Sequence, residues 1–482
     1  MNPTQEQQAI YDELAFIASG SNPGQNIFIQ AGAGCGKTST IVTGAEYFAD
    51  RPRDVNYLAF NRSIADELKT RLPGEIRAST FHSACLSALS RALPKRPQTD
   101  KFKTKVIAKS VIPEDRQEHY KYCVPRLVSL AKNSGVLVLA PNEIQTYVDL
   151  AILHSIEKDT VKTDWHEAGK YCAQIIERSY KSLDVIDFDD MLWLTYCRQI
   201  QLYKYPFIFT DESQDFNAVQ LALLSRMTYP TSSVIAVGDP YQAIYGFRGA
   251  LDNSCARMID KFDMRVMPLP VSFRCAKSII RVAQQFNPDI RALPDAPDGQ
   301  VVHLYDDWSL NTFQPGDAVL CRTNAPVVRL AFQLLAGRRQ CYIEGREYGE
   351  QMITLIKKIN PTSISDLPKL LDAQVQAQPD NHMLFDKAEA IKSLCLGCSN
   401  TSDLITLIDT LFTKKPDAIV LSSVHKSKGL EWNRVFVLGW HSLMPHPKSK
   451  EDDQQELNLK YVACTRAKRE LFFIEPLEKT RD

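Results

Sequence analysis

At 482 residues, with 44% hydrophobic and 24% charged side chains, the chain is too long for one ordinary core and too apolar for a disordered polymer. Lys+Arg and Asp+Glu both total 57, so attraction to a polyanion has to come from a local basic surface and not from overall charge. No apolar run reaches the ~20 residues that span a bilayer, and no basic-then-apolar leader opens the chain, which sets the expectation of a cytoplasmic protein with no membrane partner.

The chain opens with a helical pattern, QEQQAIYDELAFIA, followed by an apolar strand, NIFIQ, and the turn AGAGCGKTST. The expected phosphate loop is G-x-x-x-x-G-K-[ST] between a strand and a helix. Its frame here is Ala31-Gly32-Ala33-Gly34-Cys35-Gly36-Lys37-Thr38, with Ser39 next, so alanine replaces the first glycine and the rest fits. Glycines at 32, 34 and 36 let backbone N–H groups turn inward toward anionic oxygens at a helix N-terminus. Lys37 supplies a mobile charge for β- and γ-phosphates, and Thr38 a hydroxyl for Mg²⁺.

A second strand, VNYLAF, and the helix SIADELKTRL follow, after which the pattern is mostly helical from about Ser83 to Lys181. The start of that stretch gathers Arg91, Lys95, Arg96, Lys101, Lys103, Lys105 and Lys109, either a phosphate-contacting surface or a solvated helix face. Asp187, Asp189 and Asp190 in DVIDFDDML suit helix N-capping and dipole compensation and are assigned no chemistry. In PFIFTDESQD a strand runs into two carboxylates, where nucleotide-binding sheets keep their ligands. Asp211 suits the Mg²⁺ shell, and Glu212 suits orienting and deprotonating a water. The run SSVIAVGDPYQAIYGFRGA repeats the strand-then-polar-loop logic, with Gln242 placed to sense a γ-phosphate.

Strand-like VVHLY and DAVLCRT come next, then a helical stretch from about Gly345 to Lys415, then AIVLSS, NRVFVLG and LFFIEP. The expected organisation is two α/β cores, each interrupted by a helical insertion. The first core covers 1–82 and 181–272 around an insertion at 83–180. The second covers 273–344 and 416–482 around a short insertion at 345–415.

The ordered set TQEQQAI, AGAGCGKT, LAFNRSIADEL, STFHSACL, DESQD, VGDPYQAIYGFRGA, VSFR, VLCRTNA, SSVHKSKGLEW and YVACTRA resembles superfamily 1 DNA helicases of the UvrD/Rep/PcrA type, across both cores. The resemblance implies two RecA-like P-loop domains with parallel sheets, ATP and Mg²⁺ in the cleft between them, and single-stranded DNA across their tops. It implies that Gln7, with Gln5 beside it, reads adenine, that Phe273 stacks on the base, and that Arg274 and Arg466 reach the γ-phosphate. His425, Lys428, Gly429 and Glu431 fall where the family couples ATP to DNA, His425 toward the strand and Glu431 toward the nucleotide. The positions that match family DNA contacts are Phe60 and Asn61; Thr80, Phe81 and His82; Tyr245, Phe247 and Arg248; and Arg322 and Asn324. Aromatic faces for bases and scattered donors for phosphates are what sequence-independent gripping requires; in isolation Phe60 and Phe81 would read as core residues, and it is their position in the motifs that places them on the strand.

The implied activity is ATP-driven 3′→5′ movement on single-stranded DNA with strand separation at single-strand/duplex junctions, by a monomer. The reduced second insertion keeps two alternatives open: a translocase that strips proteins from the strand without unwinding, and a non-enzymatic ATP-gated clamp.

Overall fold

Apolar runs alternating with helices favour parallel strands covered on both faces, and the computed structural model holds two such sheets. It describes residues 2–138, 144–246, 249–250, 253–305, 307–379, 381–446 and 453–476. The chain divides into two units, Met1–Pro270 and Val271–Asp482, with one six-stranded sheet in each. No helix among the described residues is long and apolar enough to cross a membrane.

In the first unit, β1 (Ile27–Ala31), β2 (Val55–Ala59), β3 (Arg77–Thr80), β4 (Tyr205–Thr210), β5 (Thr228–Gly238) and β6 (Arg265–Leu269) lie in the order β3-β2-β4-β5-β1-β6. All pairs are parallel. Every residue of β2 is buried, so its sequence is a continuous apolar run broken only by Asn56, whose Oδ1 accepts from Ser79 Oγ at 3.0 Å. Parallel pairing brings the carboxyl ends of all six strands to one edge, and the loops that leave them carry the expected site residues.

The helices of the first insertion, among them Lys103–Val111, Cys123–Asn133 and Trp165–Lys181, share one apolar core with the sheet: Tyr120, Leu127 and Ile175 are contiguous with Leu58, Ile208 and Val234. A buried ionic lattice pins this insertion to the helix Phe188–Cys197. Asp187 caps that helix in a capping box with Asp190, as its sequence suggested. Asp190 also receives Lys103 Nζ and Lys132 Nζ, both at 2.7 Å. Lys132 further reaches Asp187 at 3.2 Å, and Lys103 donates to the Ser179 and Ser182 carbonyls. Lys103 is only 4% exposed, which corrects its expected place in a phosphate-contacting or solvated basic face. Its charge is spent inside the fold because a buried carboxylate requires a partner.

In the second unit, β7 (Gln300–Leu304), β8 (Ala318–Cys321), β9 (Cys341–Ile343), β10 (Ile419–Ser423), β11 (Trp432–Leu438) and β12 (Ala467–Ile474) follow the order β7-β12-β11-β8-β10-β9, again all parallel. Among the described residues the second insertion holds four helices, Arg346–Ile359, Leu367–Ala377, His382–Cys395 and Thr401–Leu411. Their Met352, Leu371, Ile391 and Ile408 join Val319, Leu421 and Phe436 of the sheet in one core.

Candidate nucleotide site

The loop after β1 turns through two left-handed residues, Gly34 (φ +70°) and Gly36 (φ +76°), a conformation that costs a side-chain-bearing residue ~1–2 kcal/mol. Helix Lys37–Gly44 starts at Gly36 with no side-chain cap, so the N–H groups of its first turn are directed at the loop. Ala33 and Cys35 are buried, which leaves the loop's backbone to face an anion. Two strands across, the end of β4 presents Asp211 and Glu212. Thr38 Oγ1 donates to Asp211 Oδ2 at 3.3 Å, and Lys37 Nζ lies 3.6 Å from Glu212 Oε1. The structure thus joins the adjacent pair Lys37–Thr38 to the adjacent pair Asp211–Glu212, with Thr38 and Asp211 173 positions apart in sequence.

Burial, and then the neighbouring Glu212 charge, push the Asp211 carboxyl up to about 6, with Lys37 opposing. Tyr57 is buried on the same side, stacked on Phe209, and burial followed by the two carboxylates holds its phenol protonated. Glu212 adopts φ +51°, unusual for a residue with a side chain, and its N–H donates to Asp211 Oδ1 at 2.7 Å. Gln214 Nε2 donates to Glu212 Oε2, while Gln214 Oε1 accepts the Asp239 N–H at 3.0 Å. Gln242 Nε2 donates to Asp239 Oδ2 at 2.6 Å. A chain of hydrogen bonds therefore runs from Gln242 through Asp239 and Gln214 to Glu212. Gln214 was not singled out from sequence, since only the tight turn after β4 folds it back onto a residue two positions earlier.

Gln7 is tied to the same helix: its Nε2 donates to Thr40 Oγ1 at 3.0 Å, and its Oε1 accepts the Thr4 N–H at 3.1 Å. Gln5 is exposed. Ser39 Oγ accepts from Arg71 Nη2 at 3.3 Å. The chemistry of these residues fits a magnesium nucleoside triphosphate: a glycine turn with inward amides, a lysine ammonium, and a hydroxyl–carboxylate pair of the hard oxygen type that Mg²⁺ prefers.

In the second unit, Arg274 Nε donates to Glu431 Oε2 at 2.6 Å, and Arg274 Nη1 to the Thr465 carbonyl at 3.2 Å. Lys468 Nζ takes the other Glu431 oxygen at 2.6 Å. Burial raises the Glu431 carboxyl, but Lys468 and Arg274 outweigh it, leaving the pKa below the usual value. Arg466 is 1% exposed and donates to the Val462 and Leu430 carbonyls and to Thr465 Oγ1. Arg274, Glu431 and Arg466 thus gather around Thr465, while Phe273 beside them is half-buried.

The expected strand contacts divide into several groups. Asn61 and Thr80 cap helices Arg62–Arg71 and Phe81–Ala92, Phe60 and Tyr245 are half-buried, and the half-buried His82 has its pKa lowered by burial. Phe81 is a core residue instead, 2% exposed and edge-on to Phe216 at 5.2 Å, because the helix it starts packs that face inward. Arg322 holds Glu456 through Nε and Nη2 (3.0 and 2.7 Å), and Asn324 Nδ2 donates to Asp386 Oδ2 at 2.9 Å. His425 faces Glu456 closely enough to favour its ionised form, and Gly429 takes φ +88° two residues before Glu431. Phe247 and Arg248 lie outside the described residues.

Family models agree with this geometry. The UvrD/REP helicase N-terminal domain matches residues 15–263, and the UvrD-like helicase C-terminal domain matches residues 398–477. The chain is 25% identical to F-box DNA helicase protein 1 of Schizosaccharomyces pombe, over 95% of this chain and 56% of that protein. It is 24% identical to F-box DNA helicase 1 of Gallus gallus, over 94% and 48%. It is 27% identical to ATP-dependent DNA helicase PcrA of Staphylococcus epidermidis, over 54% and 37%. The chain spans about half the length of the F-box relatives it matches. With more than half of its residues matched by the first model alone, and the phosphate loop and paired carboxylates inside that match, the chain belongs to the UvrD/REP helicase family.

Proposed function

We propose that this chain is an ATP-dependent DNA helicase that moves 3′→5′ on single-stranded DNA and separates strands at single-strand/duplex junctions, acting as a monomer. The observation that carries this reading is the pairing of Lys37 with Glu212 and of Thr38 with Asp211 at the ends of β1 and β4, in a chain of a helicase family. Loop amides and Lys37 hold the β- and γ-phosphates, and Gln7 and Phe273 hold the base. Thr38 and Asp211 hold Mg²⁺, whose charge offsets that of the phosphate oxygens. Glu212 orients and deprotonates the attacking water, and the hydrogen-bond chain through Gln214 and Asp239 links it to Gln242 as γ-phosphate sensor. Arg274 and Arg466 counter charge on the transferred group. Phe60, Asn61, Thr80, His82, Tyr245, Phe247, Arg248, Arg322, Asn324 and His425 grip the strand.

Lys37→Ala and Glu212→Gln are expected to lower DNA-stimulated phosphate release at least about 100-fold. Paired duplexes with 3′ and 5′ tails test the rest: displacement is expected from the 3′ tail only, and displacement from the 5′ tail alone would reverse the polarity. The small second insertion, four helices folded into the core of its own unit, favours one second reading, a translocase that clears bound proteins. Movement along the strand without displacement of either duplex would select it, and strand binding without turnover would select a clamp.

A further inference from the structure

Three exposed aromatic side chains converge at the carboxyl end of the second unit's sheet, away from every residue assigned above. His303 lies on the edge strand β7, in register with Phe473 of β12, and Tyr305 follows two positions later on the same face. His441 comes from the loop after β11. The three rings form a triangle with centroids 5.9 Å (His303–His441), 6.1 Å (Tyr305–His441) and 6.5 Å (His303–Tyr305) apart, with interplanar angles of 16–31°. Tyr305 is 61% exposed, and both histidines are exposed as well.

The cluster is built rather than incidental. Phe473 backs His303 at 4.7 Å and stands 4.3 Å from Trp440. Gly439 takes φ +74°, and its N–H donates to the Ile474 carbonyl at 2.7 Å, fixing the turn that swings His441 over β12. The Glu475 carboxylate accepts from the His441 N–H at 2.8 Å and from Ser442 Oγ, so the loop's acidic group is turned to backbone support. Lys460 adds a cation 5.1 Å from the Trp440 ring.

We propose that His303, Tyr305 and His441 form a stacking platform for a base of single-stranded nucleic acid. Polar-edged rings within 31° of parallel and exposed to solvent match the π-face that every base offers, and they lack the aliphatic bulk that marks a protein-docking patch. The platform lies on the same sheet as the proposed strand contacts, β7 being three strand positions, about 14 Å across the sheet, from β8, whose following loop carries Arg322 and Asn324. The platform rests on the strand-binding reading above.

The test is fluorescence anisotropy with the full chain on a dT oligonucleotide and on an abasic oligonucleotide of equal length. Replacing His303→Ala, Tyr305→Ala and His441→Ala together is expected to weaken dT binding about tenfold, leaving abasic binding and the melting temperature unchanged. Tyr305→Phe, which keeps the ring, is expected to bind dT within about twofold of the unaltered chain. Equal dT affinity in the triple variant, or an equal loss on the abasic strand, would overturn the platform while leaving the proposed function intact. Failure of the unaltered chain to bind either oligonucleotide would overturn both.

Discussion

Lys37 and Glu212 offset each other's charge at 3.6 Å, so in the proposed reaction a triphosphate entering the loop would compete for the lysine and release the carboxylate assigned to the water. Gln214 holds the other Glu212 oxygen and so acts as a positioning residue. Gln214→Ala is expected to lower kcat about tenfold with little change in the KM for ATP, since it orients the base without touching phosphate. A steady-state ATPase assay separates the two parameters, and a rise in KM alone would remove this role. At this scale the sequence was legible where spacing is itself the chemistry, as in Gly34 through Thr38 and in Asp211 with Glu212 after an apolar strand. It was opaque where folding decides the neighbour. Phe81 and Phe60 carry the same side chain after similar strands, yet only the packing of helix Phe81–Ala92 against Phe216 sends the first inward.

Helices and strands were readable as types from periodicity, whereas the ties between them were not. The alternation of apolar runs and helical segments foretold two parallel sheets with insertions, because parallel strands buried on both faces must read as unbroken apolar runs. Nothing in the local pattern distinguishes Lys103 from its solvated neighbours, because its buried partner Asp190 stands 87 positions away. That lattice should govern how firmly the first insertion is held. Asp190→Ala leaves two buried lysines short of a partner and is expected to destabilise the first unit by about 3–5 kcal/mol, measured by urea denaturation. Burial alone would raise the Asp190 pKa, but Lys132 and Lys103 outweigh it and leave it below the ordinary value. Its stabilising contribution is therefore complete above ~3.9 and is lost as pH falls through the lower folded value. The urea midpoint should lose this contribution only below about pH 4, and Asp190→Asn should flatten that part of the acid limb.

For the molecule as a whole, each unit has an apolar core that runs from its sheet into its own insertion. Scanning calorimetry is therefore expected to depart from a two-state transition, and Asp190→Ala should lower one component while leaving the other in place. A single transition shifted bodily by the substitution would show that the units unfold as one. The left-handed backbone at Glu212 acts at this scale too, since it costs about 1–3 kcal/mol that every folded copy bears. Glycine or asparagine at that position is expected to relax the turn and raise the melting temperature while removing the turnover proposed for Glu212. A variant library sorted for heat resistance alone would thus enrich changes at position 212, and any thermostabilised version of this protein has to be screened for the proposed ATP consumption as well as for survival.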